Sequence, residues 1–354
     1  MIVSSPAKLN LFLEVVQRRE DGYHELDTLM VPVSVFDTLT ITRRDDEKVS
    51  LRCRGNRDLP CDDRNLIVKA IELYRRSSGV TAGFDVILDK RIPVAAGLGG
   101  GSGNAAVTLA AIHRLCGEPF LSPFRREVRE TTLTSVGRRS YREQIADTIS
   151  CGLGRSESLE ELGASLGSDV PFFLGDGAAR CRGRGEILDE IPNSPQPFHF
   201  VLLRPPEGFA TSTAYKYCRP ANLCGDRRAI APILAAWATG DPERLGRTCF
   251  NRLESAVFPR SAPVRETMEL LRRERTCGVG MSGSGTCCFA ICWDQADSER
   301  LAERLAERLE NRDVASEERI GVSDIVSEER NSVWNVNGWF VCSVKTVGLK
   351  NGKK

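Results

Sequence analysis

From Lys8 onward, polar and apolar positions alternate. Lys8, Asn10, Phe12 and Glu14 fall on one side, and Leu9, Leu11, Leu13 and Val15 on the other. A period of two predicts a strand with one buried face. Asp21-Gly22 marks a turn, and residues 37–44 and 83–90 return to a strand pattern. Residues 62–79 read as a helix with Leu66, Ala70, Leu73 and Tyr74 on one face and Gly79 as its stop. Another helix-forming run covers 104–115. Periodicity lapses over 120–156, where seven arginines face four acids, and this predicts a surface insertion. It resumes at Ser158, where Glu161 three residues on predicts a capping box and Gly167 a stop.

The second half starts with strands at 183–188 and 197–205. A helix at 211–217 follows, capped by Ser212 or Thr213, and another at 229–240. Small residues 282–286 lead into an apolar strand at 287–293. Leu301, Leu305 and Leu309, four apart, predict an amphipathic helix. Residues 312–333 repeat SEER and read as a charged insertion, 337–348 as a closing strand, and 349–354 as a tail.

Composition narrows the class. A chain of 354 residues has room for two domains, and 41% hydrophobic with 27% charged residues is ordinary for a soluble globular protein. A net charge of +1 gives no reason to expect a nucleic-acid partner. No run is long enough to span a bilayer, and no charged-then-apolar leader opens the chain. The thirteen cysteines are scattered without a CxxC pair, and none of the three histidines is near their closest cluster, Cys287, Cys288 and Cys292. Reduced, core-filling thiols of a cytoplasmic protein are therefore expected, and no protein metal site.

The densest chemistry is PVAAGLGGGSGNAA at 93–106, with five glycines between Gly97 and Gly103. Glycines admit a ligand close to the backbone, and a following helix offers unpaired amides at its positive end. This suits a phosphate, although a mobile loop has the same composition. Lys8 and Asn10 share a strand face and suit a polyanionic or hydroxylated ligand; a solvated lysine is the plain alternative. Tyr23 and His24 could stack on and bond a base, or be packing and surface residues. Asn65 could simply cap the helix it begins. Asp169, between a helix end and Pro171, reads equally as a desolvated base or a turn aspartate.

Taken in order, PAKLNLFLEV (6–15), DGYH (21–24), the glycine loop, GSDVPFF (167–173) and MSGSGTC (281–287) resemble the GHMP kinase superfamily. Within it they resemble the family of 4-diphosphocytidyl-2-C-methyl-D-erythritol kinases. The resemblance implies an α+β fold of two domains. The N-terminal one, 1–188, is ribosomal-protein-like, and the C-terminal one, 189–348, is ferredoxin-like, with the site in the cleft between them. It implies phosphorylation of the acceptor's 2-hydroxyl by ATP, with Mg²⁺, in the non-mevalonate route to isoprenoids. It implies a small-molecule partner and a monomer or weak homodimer.

By the same resemblance Lys8 and Asp169 are the catalytic pair, the lysine offsetting charge and the aspartate accepting the hydroxyl proton. ATP falls to Asn65 and to Pro93, Val94, Ala95, Ala96, Gly97, Leu98, Gly99, Gly100, Gly101, Ser102 and Gly103. The acceptor falls to Asn10, Tyr23, His24 and Tyr217. No residue is assigned to the metal. Gly103 departs from the family pattern, which has a second serine there, so a hydroxyl contact to phosphate is lost.

Overall fold

The computed structural model describes residues 1–56, 58–116, 158–312 and 333–347. The 120–156 insertion and the tail lie outside these, as does the 312–333 insertion except for its two end residues. The first half runs β1 (Ile2–Arg18), β2 (His24–Arg44), β3 (Val49–Arg54), α1 (Leu66–Ser78), β4 (Gly83–Asp89), α2 (Gly100–Cys116), α3 (Leu159–Leu166), α4 (Val170–Leu174), β5 (Ala179–Gly183) and β6 (Ile187–Glu190). The second half runs β7 (His199–Arg204), α5 (Thr211–Tyr217), α6 (Ala221–Cys224), α7 (Ala231–Thr239), α8 (Pro242–Thr248), β8 (Phe250–Asn251), α9 (Glu254–Val257), α10 (Ala262–Arg272), β9 (Gly278–Met281), β10 (Cys288–Cys292), α11 (Gln295–Arg312), β11 (Val333–Val336) and β12 (Trp339–Lys345).

Two sheets result. The first has the order β3-β4-β2-β1-β8, with β5 also paired onto β2 and β6 onto β5, and the second is β11-β12-β7-β10-β9. The class is α+β, as expected. Alternation along the second sheet splits its side chains between two cores. Phe200, Leu202, Phe289, Ile291 and Phe340 turn toward Leu9, Leu11 and Val31 of the first sheet. Val201, Leu203 and Ala290 turn toward Leu301, Leu305 and Leu309 of α11. A third core lies between the other face of the first sheet and helices α1 to α4. The halves are joined as well as stacked, because β8 pairs in parallel with β1 at Phe12 and Leu13.

Several local expectations change. The strand β1 buries both faces, Lys8 and Glu14 included, because it lies inside the sheet with packed layers on either side. A bulge between Asn10 and Phe12 breaks the alternation, so Phe12 joins Leu9 and Leu11 rather than Asn10. The strand β2 begins at His24, thirteen residues before the expected start at Asp37. Helix α1 buries Ile67, Ala70, Ile71 and Tyr74, a face rotated from the expected one. Residues 183–188 span the end of β5, the hairpin turn at 184–186 and the start of β6 rather than one strand, with Gly183 and Gly185 at φ 69° and 118°. No side chain caps α5, whose first flank is Ala210. The capping box at Ser158 and Glu161 is present as read. Cys181, Cys287, Cys288, Cys292 and Cys342 are buried free thiols.

Candidate active site

A cleft of about 1160 Å³ runs between the two halves. One end is the glycine loop. Residues 93–102 all line it, and α2 starts at Gly100, inside the glycine run rather than at Asn104. The first-turn amides of this 17-residue helix therefore lie on the cleft wall, and an α-helix cannot pair them internally. Two glycines are required by contact as well as by backbone angle. Gly97 has φ 74°, and a Cβ on it would lie 2.2 Å from the Ser282 carbonyl oxygen. Gly99 has φ 70°, and a Cβ on it would press on Phe173 at 2.8 Å and on Lys8 at 3.0 Å.

The loop is held from two sides. Ser282 Oγ donates to the Gly97 carbonyl at 3.0 Å, and the Cys287 amide donates to Ala96 at 3.1 Å. The second glycine-rich turn thus buttresses the first, while its Gly283 and Ser284 also reach the cleft. Behind the loop lies Asp37, fully buried. Its Oδ1 accepts the amides of Arg91 and Ile92, both at 2.8 Å. Its Oδ2 accepts Lys90 Nζ at 2.6 Å and Asn104 Nδ2 at 3.0 Å. One carboxylate therefore ties the strand entering the loop to the helix leaving it. Sequence reading passed over Asp37 and Lys90, because a lone acid in a strand pattern has no local signal.

Gly103 does not line the cleft. Its missing side chain faces β1, where a Cβ would lie 2.5 Å from Ser5 Oγ. The serine of the family pattern would fit there only if the Ser5 side chain turned away.

Lys8 and Asp169 meet on the cleft wall, Nζ to Oδ2 at 3.5 Å, with side-chain exposures of 5% and 29%. The sequence places them far apart; the β1 strand and the α3–α4 corner bring them together. Lys8 Nζ also donates to Asn10 Oδ1, and Asn10 Nδ2 donates to Thr28 at 2.9 Å. Both ends of the Asn10 amide are thus occupied, and its first task is to orient Lys8. Asn65 is similarly committed: it accepts the Ile67 amide at 3.0 Å as the α1 cap and donates to the Pro60 carbonyl at 2.7 Å. Its capping role is present, and it also borders the cleft.

The other end is aromatic. Tyr23, His24 and Tyr215 line it, and the His24 and Tyr215 rings lie 5.2 Å apart, tilted by 31°. Burial, followed by the nearby Arg18 charge, holds the His24 imidazole below its usual range, which favours the neutral ring. Burial raises the Tyr215 hydroxyl well above its usual range, and the Asp169 carboxylate adds to the shift. Tyr217 lies elsewhere. It is outside the cleft, with the Arg260 guanidinium 3.9 Å from its ring centroid. Two residues along a helix is a rotation of about 200°, so when Tyr215 faces the cleft Tyr217 faces away. Thr211 and Tyr215, one helical turn apart, both border the cleft. Among the described residues no cluster of three His, Cys, Asp or Glu could hold a metal ion. No helix among them is long and apolar enough to cross a membrane.

The fold and the loop together define a small-molecule kinase of the GHMP class. Models of the GHMP kinases N terminal domain and the GHMP kinases C terminal region match residues 65–155 and 233–311. The 4-diphosphocytidyl-2-C-methyl-D-erythritol kinase of Deinococcus radiodurans is 35% identical over 298 residues, which is 84% of this chain and 86% of the relative. The enzyme of that name from Synechococcus sp. (strain CC9605) is 34% identical, covering 87% and 92%. A crystal structure of 4-(cytidine 5'-diphospho)-2C-methyl-D-erythritol kinase superposes with a TM-score of 0.66 at 28% identity, over 97% of this chain and 99% of that one. A homoserine kinase from Cytophaga hutchinsonii shares the fold, with a TM-score of 0.60 at 16% identity over 89% and 91% of the two chains. The chain belongs to the 4-diphosphocytidyl-2-C-methyl-D-erythritol kinase family.

Proposed function

We propose that this chain transfers the γ-phosphoryl group of ATP to the 2-hydroxyl of 4-diphosphocytidyl-2-C-methyl-D-erythritol, a step toward isoprenoid precursors. The observation that carries the reading is the Lys8–Asp169 pair, set between an amide-lined loop and an aromatic end of one cleft. The hydroxyl oxygen attacks the γ-phosphorus and forms the new P–O bond. The bond to the β,γ-bridging oxygen breaks, ADP leaves, and the hydroxyl proton passes to Asp169. Lys8 keeps the carboxylate ionised and offsets charge on the transferring group. Such a reaction is governed by positioning and electrostatics more than by covalent participation.

ATP takes the loop from Pro93 to Ser102, its phosphates on the α2 amides, with Asn65 shaping the adenosine side. Mg²⁺ enters with the nucleotide phosphates rather than on a protein cage. The cytosine lies between Tyr23 and Tyr215, with His24 at its edge; Asn10 acts through Lys8. Because β6 runs to Glu190 in the first sheet, the same reading divides the chain between β6 and β7, just past the expected 188/189, into an ATP-binding and a ferredoxin-like half, working in the cytoplasm.

A coupled ADP-release assay over cytidyl-diphospho, sugar, homoserine and mevalonate-type alcohols tests this. Turnover confined to the cytidyl-diphospho compound is expected. Faster turnover with another alcohol would overturn the substrate assignment.

A further inference from the structure

Three cations at the aromatic end of the cleft have no part in the steps above. Arg18, Arg184 and Lys216 all line it. Among the described residues neither Arg18 nor Lys216 has a carboxylate within ion-pair distance, but Lys216 Nζ lies over the Tyr217 ring, 5.6 Å from its centroid and away from the cleft. Arg184 is the best placed. Its guanidinium carbon lies 4.9 Å from the centroid of the Tyr23 ring.

The hairpin turn presents Arg184 in a defined way. Glu186 accepts the Arg184 backbone amide at 2.6 Å. Gly183 leaves space for this, since a Cβ there would lie 2.8 Å from both Glu186 carboxylate oxygens. The Glu186 carboxylate approaches the Arg184 side chain only to 3.8 Å, which leaves the guanidinium donors free for a ligand. The next residue touches the other end of the site: a Cβ on Gly185 would lie 3.8 Å from Asp169 Oδ1. One tight turn therefore spans from the aromatic ring to the carboxylate.

The acceptor has the same order of parts: a base, a diphosphate and a polyol. We propose that Arg184, supported by Arg18, binds the diphosphate that links the base to the polyol. The assignment rests on the acceptor named above. A planar guanidinium offers paired N–H donors to phosphate oxygens while its face remains on the tyrosine ring. The arrangement makes the site selective for a nucleotide-linked polyol over a free one, and places the reacting hydroxyl by fixing the linker rather than the hydroxyl itself.

The test is direct binding of cytidine and of cytidine 5′-diphosphate, read by calorimetry without turnover. The wild-type protein is expected to prefer the diphosphate by ~10- to 100-fold, the scale of charge-assisted hydrogen bonds. Arg184→Met should narrow that preference by roughly 10-fold, with cytidine and ATP affinities unchanged, and Arg184→Lys should recover part of it. Rising KCl should narrow the wild-type preference in the same direction. A wild-type preference insensitive to both the substitution and the salt would overturn the proposal. Failure of the reaction itself is read separately. A diphosphate preference that depends on Arg184, together with no ADP release from the cytidyl-diphospho alcohol, would overturn the reaction and leave this subsite standing.

Discussion

The glycine-loop end and the aromatic end of the cleft are built from different materials. At the first, the lining is mostly the backbone of residues 93–102, and the buried Asp37 braces it from behind by bonding Lys90 and Asn104 at the cleft edge. At the second, side chains face the cleft directly, with Tyr23 52% exposed and Arg184 reaching over it. Amides carry no rotamer entropy, so an amide-lined loop holds its shape only if something rigid supports it. Faces that must grip a flat base need large rings, which can remain exposed until the ligand arrives. The comparison predicts that damage at the first end spreads into the fold, and that damage at the second stays in the binding constants.

The largest effect belongs to Asp37→Ala. It strands the Lys90 charge, whose side chain is only 6% exposed, and frees both ends of the loop. A loss of about 3–5 kcal/mol in urea unfolding is expected, the cost of breaking a buried pair. In any folded remainder, KM for ATP should rise more than KM for the acceptor; equal rises would break the comparison.

Glu254 tests the same support from the second glycine-rich turn, whose Met281 amide donates to it at 3.1 Å. Burial pushes the Glu254 carboxyl up to about 7 from an ordinary 4.5, against that hydrogen bond. The folded state therefore holds the proton more tightly than the unfolded chain does. The resulting stabilisation is full below the ordinary carboxylate range and is lost as pH rises through about 7. Glu254→Gln should gain about 1–3 kcal/mol over wild type at pH 8 and little at pH 5. An equal difference at both values, measured by urea titration, would mean that the carboxyl does not titrate there.

At the aromatic end, Tyr215→Ala should raise the acceptor KM by ~10-fold, the scale of one base-stacking contact, and leave the ATP KM unchanged. Tyr217→Ala is the smallest change, within about twofold in either constant, since surface substitutions away from a site rarely matter. A larger loss at Tyr217 than at Tyr215 would reverse the assignment of the stacking ring.

The same contrast explains what could be read from the chain. The loop was legible because its glycines are contiguous and needed for backbone reasons. The caps at Asn65 and Ser158 were legible because capping acts over three residues. Lys8 was placed on a strand but not inside the protein, because burial of both faces depends on layers that arrive later in the chain. Asp37 was missed because its four partners come from residues 90–104, more than fifty positions away. Tyr217 is what the resemblance implies, and only the placement of α5, which puts Tyr215 on the cleft lining and Tyr217 off it, separates two tyrosines on one short helix.

Single-turnover phosphoryl transfer by Asp169→Asn, at saturating ATP and acceptor, tests the central claim most directly. The account predicts a rate at least ~100-fold below wild type with both ligands still bound, the scale of a positioned acid–base group. A rate near that of the wild type would contradict it.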